Sequence, residues 1–289
     1  MQRNALLALL DRLELHPSRR LGQNFLVDEN CLQALVRSAH PQAGEVILEV
    51  GPGTGVLTEK LLEAGCRVFA VEYDRRLHAY LQGHLASWGD RLTLVNADAC
   101  RVDYAALLPA GHPFRVIANL PYSCASVLLG RLSELPLPPE SFHILLQLEM
   151  AQRLTAPVGT GDYGVLTARL AFRYAATIVR VVPKGVFFPP PEVDSAFLQL
   201  ERRADMAPPE VISLASRLAG AAFASRRKQA RRLLEGACGG FDFARAFAAL
   251  SIVPDARAEV ISPAQYLALA RLVLAAGAPS SLPPKEEEP

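Results

Sequence analysis

Glu45-Val46-Ile47-Leu48-Glu49-Val50 runs directly into Gly51-Pro52-Gly53-Thr54-Gly55, and this junction restricts the fold more than any other stretch. The apolar run is short and rich in β-branched residues, which predicts a buried strand. Glycine at every second position then predicts a tight turn where a ligand can approach backbone N–H groups. Leu57, Leu61 and Leu62 line one side of a helix beyond it. A buried strand, a glycine turn and a helix form the opening unit of a parallel α/β sheet.

The unit repeats with variations. Arg67-Val68-Phe69-Ala70-Val71-Glu72 and Leu92-Thr93-Leu94-Val95-Asn96-Ala97-Asp98 each predict a strand followed by an acid. A fourth strand ends in Val116-Ile117-Ala118-Asn119-Leu120-Pro121-Tyr122, and a fifth spans Phe142 to Leu148. Ala176–Val182 and Ala196–Leu200 read as two later strands able to pair at one edge. The expectation is a doubly wound, mostly parallel α/β sheet, with ligands outside the carboxyl ends of its strands. Apolar residues make up 51% of the 289, enough to bury such a core.

The turns carry the chemistry. The loop G-x-G-x-G is not the dinucleotide fingerprint G-x-G-x-x-G. With an acid at the strand end it fits methyltransferases that use S-adenosyl-L-methionine, whose sulfonium and ammonium favour a carboxylate such as Glu49. Glu72 lies 21 residues after Gly51, placed to take both ribose hydroxyls, and Asp98 is suited to accept from an adenine amino group. Asn119 to Tyr122 offers an amide, free carbonyls and a flat ring at one strand end, a place to hold a planar, amino-bearing base. One acid after one strand is common by chance; this whole set is not.

Other segments are more ambiguous. Residues 1–15 read as a short amphipathic helix. Arg19 to Leu26 reads equally as a solvated basic turn, and Asp28 as the N-cap of a helix to about Ser38. Phe187-Phe188-Pro189-Pro190-Pro191-Glu192-Val193-Asp194-Ser195 is either a surface loop or a rigid arm holding Phe187 across from Tyr122, so that two rings sandwich a base. Prolines 208 and 209 mark a linker. The expected organisation is a catalytic domain over 1–205, a helical domain over 206–277 and a disordered tail over 278–289. Helices are expected at 210–223, 225–235, 242–250 and 263–276.

The net charge is only +1, yet Asp205 to Gly277 holds nine Arg/Lys against six Asp/Glu. Five of those nine, Arg226, Arg227, Lys228, Arg231 and Arg232, fall on the helix expected at 225–235, with cations on most of its sides. A solvated face is the ordinary reading of such a run; the density favours phosphate contacts. Five scattered cysteines without C-x-x-C or zinc spacing predict reduced intracellular thiols and no metal site. No apolar run is long enough for a membrane span. His143 reads as a core residue. Cys124 lacks a nearby histidine and is not expected to act as a nucleophile.

Taken together, Leu21 to Leu26, Glu49 to Gly55, Asn119 to Tyr122, Phe187 to Ser195, Ser225 to Lys228, Arg257-Ala258-Glu259 with Ile261-Ser262, and Gln265-Tyr266 resemble the bacterial ribosomal RNA small-subunit adenine N6,N6-dimethyltransferases, the dimethyladenosine transferase family. The likeness runs from about Arg19 to Ala275. It implies the Rossmann-like, seven-stranded fold of class I methyltransferases with a small all-α C-terminal domain. It also implies S-adenosyl-L-methionine held by Asn24, Leu26, Gly51, Gly53, Glu72, Asp98 and Asn119, with Gln23 to Leu26 folded over it. The implied reaction is dimethylation of two adjacent adenosines in the 3′-terminal hairpin of 16S rRNA, within the 30S subunit or its precursor, by a cytoplasmic monomer.

In that reaction Asn119 and the Leu120 carbonyl accept the N6 hydrogens, Pro121 fixes the turn, and Tyr122 and Phe187 stack on the base. Two departures from the family pattern stand beside the site: Ser123-Cys124-Ala125-Ser126-Val127 after the tyrosine, and Gln147-Leu148-Glu149. Two alternatives are carried forward, a 23S rRNA adenine methyltransferase of the macrolide-resistance type and a catalytically silent assembly factor.

Overall fold

The computed structural model describes residues 3–18 and 22–277. Arg19, Arg20 and Leu21 of the first motif, and the expected tail over 278–289, lie outside the described residues. The strands are β1 (Phe25–Leu26), β2 (Val46–Val50), β3 (Arg67–Glu72), β4 (Leu92–Asn96), β5 (Phe114–Asn119), β6 (Ser141–Gln147), β7 (Tyr174–Val182), β8 (Phe187–Phe188) and β9 (Ser195–Arg202). Seven form one sheet in the order β4-β3-β2-β5-β6-β9-β7. The pairs from β4 through β6 are parallel, and β9 runs antiparallel to β6. The mostly parallel sheet expected from the alternation of strands and helices is found, with the seven strands and Rossmann-like order that the resemblance implies, and the two late strands are neighbours at one edge.

The central strands are buried throughout: all five residues of β2, and Val116 to Ala118 of β5, sit between helices. Full burial of side chains such as Ile47 or Leu48 stabilises by about 1.5–3 kcal/mol each. On one face Leu57, Leu61 and Leu62 of the helix Val56–Glu63 join Leu32 and Leu35 of the helix Glu29–Ala39. Asp28 caps the latter, its side chain accepting from Cys31 N at 2.7 Å. His143 lies in this sheet, 2.8 Å from Arg115. Burial, then the Arg115 charge, pulls its pKa down to about 4, so it stays neutral in the core.

The sequence places one boundary at 205/206. By contacts the chain instead forms one unit up to Ala151 plus Ala176–Arg202, and a second from Gln152–Ala175 plus the residues after Arg203. The reason is packing. Tyr163, Ala168 and Phe172 bury their side chains with Val211, Leu218, Leu234 and Tyr266 of the helical unit. The apolar face of the helix Val165–Ala171 finds its partners some 40 residues later, so no local pattern announces it.

The helix expected at 225–235 is also shorter than expected. It begins at Ala230 and ends at Ala237, and residues 224–228 form a turn and bend after the helix Pro209–Phe223. Arg226, Arg227 and Lys228 therefore do not lie on a helix. Arg226 donates to the carbonyls of Gly161 (2.7 Å) and Tyr163 (3.1 Å), within the same unit. Those two bonds tie the turn to residues 161–163.

Candidate active site

A cavity of about 330 Å³ opens at the carboxyl ends of β2, β3 and β5. The strand order reverses between β2 and β5, so this is the switch point where an open α/β sheet leaves a crevice. Asn24, Leu26, Gly51, Gly53, Glu72, Asp98, Asn119, Leu120, Pro121 and Tyr122 all line it. Residues that sequence reasoning selected from four separate strand ends are thus brought to one chamber.

The glycine turn supplies its floor. Gly51 sits at φ +70°, and its N–H donates to Val71 O at 2.9 Å. A Cβ there would stand 3.1 Å from Pro121 Cγ, so the loop after β2 and the turn after β5 touch directly. A Cβ at Gly53, φ +59°, would meet the Phe25 ring at 3.4 Å.

Two carboxyls face the cavity from below. Glu49 is 1% exposed, and its Oε2 has no hydrogen-bond partner among the described residues. Burial first, then the charge of Glu72, raises its pKa to about 8. Glu72 accepts one backbone N–H on each oxygen, from Gly53 at 3.1 Å and Asp74 at 2.8 Å. Burial still outweighs those bonds and lifts its pKa to about 7. Each oxygen retains a lone pair for a further donor. Asp98 is more open; its Oδ1 accepts Cys100 N at 2.9 Å.

The front wall comes from residues 22–26. β1 pairs antiparallel with β8, and Gln23 reaches Asp74 at 3.2 Å. Asn119 Nδ2 donates to the Asn24 carbonyl at 3.2 Å. That bond commits the amide nitrogen and leaves Oδ1 as the acceptor end. The Leu120 N–H is taken by Leu145 O at 3.0 Å, while its carbonyl has no partner among the described residues. The Pro121 carbonyl is occupied, by Cys124 N at 3.2 Å and Cys124 Sγ at 3.4 Å. Burial pushes the Cys124 thiol up to about 12, so it stays protonated and the nucleophile reading has no support.

Phe187 does not meet its expectation. It is 3% exposed, does not line the cavity, and packs with Leu26, Leu32 and Phe197. Two-residue alternation decides this. In β8 successive side chains point to opposite faces, so Phe187 turns inward and Phe188 lies under the Arg3 guanidinium at 5.2 Å. The arm meets Tyr122 through another residue: Ser195 Oγ lies 2.6 Å from the Tyr122 hydroxyl. The bonds Tyr122–Ser195 and Gln23–Asp74 are the contacts that sequence reasoning missed. The only local signal was a hydroxyl at the end of the proline arm.

The chamber fits S-adenosyl-L-methionine on its own terms. A buried carboxyl with one oxygen unpartnered among the described residues suits a cation, Glu72 has acceptor capacity for two hydroxyls, and the glycines keep the floor clear of side chains.

Comparison with known proteins agrees. The family model described as ribosomal RNA adenine dimethylase matches residues 16–274. A ribosomal RNA small subunit methyltransferase A from Anaeromyxobacter sp. (strain K) is 40% identical, over 91% of this chain and 96% of that relative. One of the same name from Thiobacillus denitrificans is 39% identical, over 88% and 96%. Among solved structures, a dimethyladenosine transferase from Plasmodium falciparum superposes with a TM-score of 0.73 at 22% identity, covering 88% of this chain and 98% of that one. The 23S rRNA methyltransferase ErmE superposes with a TM-score of 0.65 at 26% identity, covering 86% and 98%.

Proposed function

The chain belongs to the ribosomal RNA adenine dimethylase family, and from that premise we propose that it dimethylates two adjacent adenosines in the 3′-terminal hairpin of 16S rRNA, on the 30S subunit or its precursor. Its activity is S-adenosyl-L-methionine-dependent methylation of rRNA adenine. The choice of small-subunit RNA follows relatives of that name at about 40% identity, against 26% for the 23S enzyme. The reading also includes a monomer acting in the cytoplasm; among the described residues no helix is long and apolar enough to cross a membrane.

One observation carries the chemistry: the Asn119 amide is oriented by its bond to Asn24, so its oxygen is the end left to accept. The cofactor supplies an electrophilic methyl group. The N6 lone pair of adenine is delocalised into the ring and is a poor nucleophile. Asn119 Oδ1 and the Leu120 carbonyl accept its two hydrogens, favour a pyramidal nitrogen and stabilise the positive charge that develops there. Tyr122 stacks on the base, worth about 1–3 kcal/mol. The base leaves its RNA stack to reach the chamber. No strong base is required, because the aminium product loses its proton readily. Glu49 would face the cationic end of the cofactor, and Glu72 would take the ribose hydroxyls.

The test is transfer of tritium from labelled S-adenosylmethionine to isolated 30S subunits and to 23S RNA, with mapping of the labelled nucleotide. Label on the two 16S adenosines is the expected result. Label on 23S RNA would select the macrolide-resistance alternative, and label on neither the assembly-factor one.

The two buried carboxyls make cofactor binding depend on pH. Their folded pKa values, about 8 and about 7, lie above the ordinary carboxylate range. A carboxyl raised in this way contributes stability at low pH that is lost as pH rises through its folded value. A cation beside Glu49, and hydroxyl donors on Glu72, oppose that loss by favouring the ionised forms. Cofactor affinity should therefore tighten between about pH 6 and pH 8.5, by up to tenfold per unit for each proton released. Calorimetry in two buffers of different ionisation enthalpy measures that release; constant affinity without release would refute it.

For RNA contact we propose Arg227 and Lys228, exposed in the turn, with Arg232 and, beside Glu235 at 3.8 Å, Arg231. Arg227→Ala with Lys228→Ala should weaken RNA binding and reduce the salt slope by about two. Arg226→Ala should instead lower the melting temperature by a few degrees, since its guanidinium holds residues 161–163. Binding isotherms against salt, read beside thermal melts, separate the two.

A further inference from the structure

The arm over 187–195 was expected to bring a second ring to the base, and it brings a hydroxyl. Ser195 opens β9, is fully buried, and pairs with Gln147 of β6. Its surroundings are pinned. The Asp194 carbonyl accepts Leu148 N at 3.0 Å, Asp194 Oδ1 accepts Lys184 N at 2.9 Å, and Lys184 Nζ donates to the Glu192 carbonyl at 3.3 Å. Pro189, Pro190 and Pro191 stiffen the segment between. The backbone that carries the Ser195 hydroxyl is therefore held in place. That hydroxyl shares a 2.6 Å hydrogen bond with the hydroxyl of Tyr122, a residue that lines the chamber.

We infer that Ser195 is a positioning residue that sets the Tyr122 ring against the target adenine. This rests on the stacking role proposed for Tyr122. Tyr122 follows a turn fixed by Pro121, so its ring is anchored at the Cβ end by the backbone. Its remaining freedom is rotation of the side chain. A partner at the para oxygen fixes where the ring points. Because a phenolic O–H lies in the ring plane, the same bond also biases the plane. A base stacked on a ring so held presents its amino group to Asn119 and Leu120 in one orientation, which is worth more in rate than in binding.

The test is a double-mutant cycle on methyl transfer to RNA at saturating cofactor. Ser195→Ala and Tyr122→Phe should each lower kcat/KM about tenfold, the loss of one hydrogen bond. The loss should fall on kcat, since the ring is still present but no longer oriented. The double variant should lose no more than either single one, and Ser195→Thr, which keeps the hydroxyl, should recover most of the rate. Cofactor affinity by calorimetry should be unchanged in all four. A purely structural role for Ser195 would leave Tyr122→Phe at the wild-type rate. That result, or two losses that multiply to about a hundredfold in the double variant, overturns the inference. Should Ser195→Ala not fold, Tyr122→Phe breaks the same bond from the chamber side and decides alone. Tyr122→Ala tests the wider reading separately. A loss of about a hundredfold keeps the ring as the platform whatever Ser195 does, and a wild-type rate would remove the stacking role itself.

Discussion

Asn119→Ala is expected to lower kcat for methyl transfer by about 10²–10³-fold while changing cofactor affinity by less than tenfold. The magnitude is that of removing one preorganised group aimed at developing charge. Asn119 ends β5, its Nδ2 is held by the Asn24 carbonyl, and its oxygen is the acceptor assigned to the N6 hydrogens. Alanine removes that acceptor and leaves the Leu120 carbonyl alone. The fold should survive, because the side chain is only half-buried and the strand beneath it is unaltered. Initial rates at saturating RNA and cofactor, with affinity measured by calorimetry, check the prediction. A kcat within about threefold of wild type would remove Asn119 from the reaction.

The second large effect lies at Gly51. Gly51→Ala should weaken cofactor binding by about 10–100-fold and lower kcat as well. The backbone there is left-handed at φ +70°, which costs an L residue roughly 1–2 kcal/mol. The new Cβ would also stand 3.1 and 3.2 Å from Cγ and Cδ of Pro121. Pro121 sits in the stiff turn that carries the Leu120 carbonyl and the Tyr122 ring. Relief of the crowding therefore displaces either the cofactor loop or the catalytic turn, and a misplacement of about 1 Å can cost a hundredfold in rate. Gly83→Ala is the control. Gly83 lies in the helix Arg75–His84 with nothing within 4 Å of a new Cβ, so alanine should be neutral or stabilising by about 0.5–1 kcal/mol. Wild-type cofactor affinity in Gly51→Ala would show that the two loops are not coupled.

These two residues were legible in the chain for the same reason. Each sits where a buried apolar run stops, and a parallel strand end can be read without knowing what lies beside it. Asn24 was harder. Its neighbours read equally as a solvated turn, and its place is fixed by a bond to Asn119, 95 residues away. Phe187 and Ser195 show the limit. An aromatic beside prolines is a reasonable stacking candidate, but β8 pairs with β1 so that Phe187 faces the core. Which of two adjacent phenylalanines points inward is a matter of register, and a shift of one residue reverses it.

By itself the sequence determined the parallel sheet, the glycine turn, the acids Glu49, Glu72 and Asp98, and the Asn-Leu-Pro-Tyr corner. All of these are local patterns of burial and turn chemistry, complete within a few residues. The tertiary structure alone decided four other things. It gave residues 152–175 to the helical unit, committed Arg226 to backbone carbonyls, turned Phe187 inward, and set Ser195 against Tyr122 across 73 residues. Contacts of that range arise from which elements pack together and in what register. They leave no periodicity in the chain, because each partner alone looks like an ordinary surface or core residue.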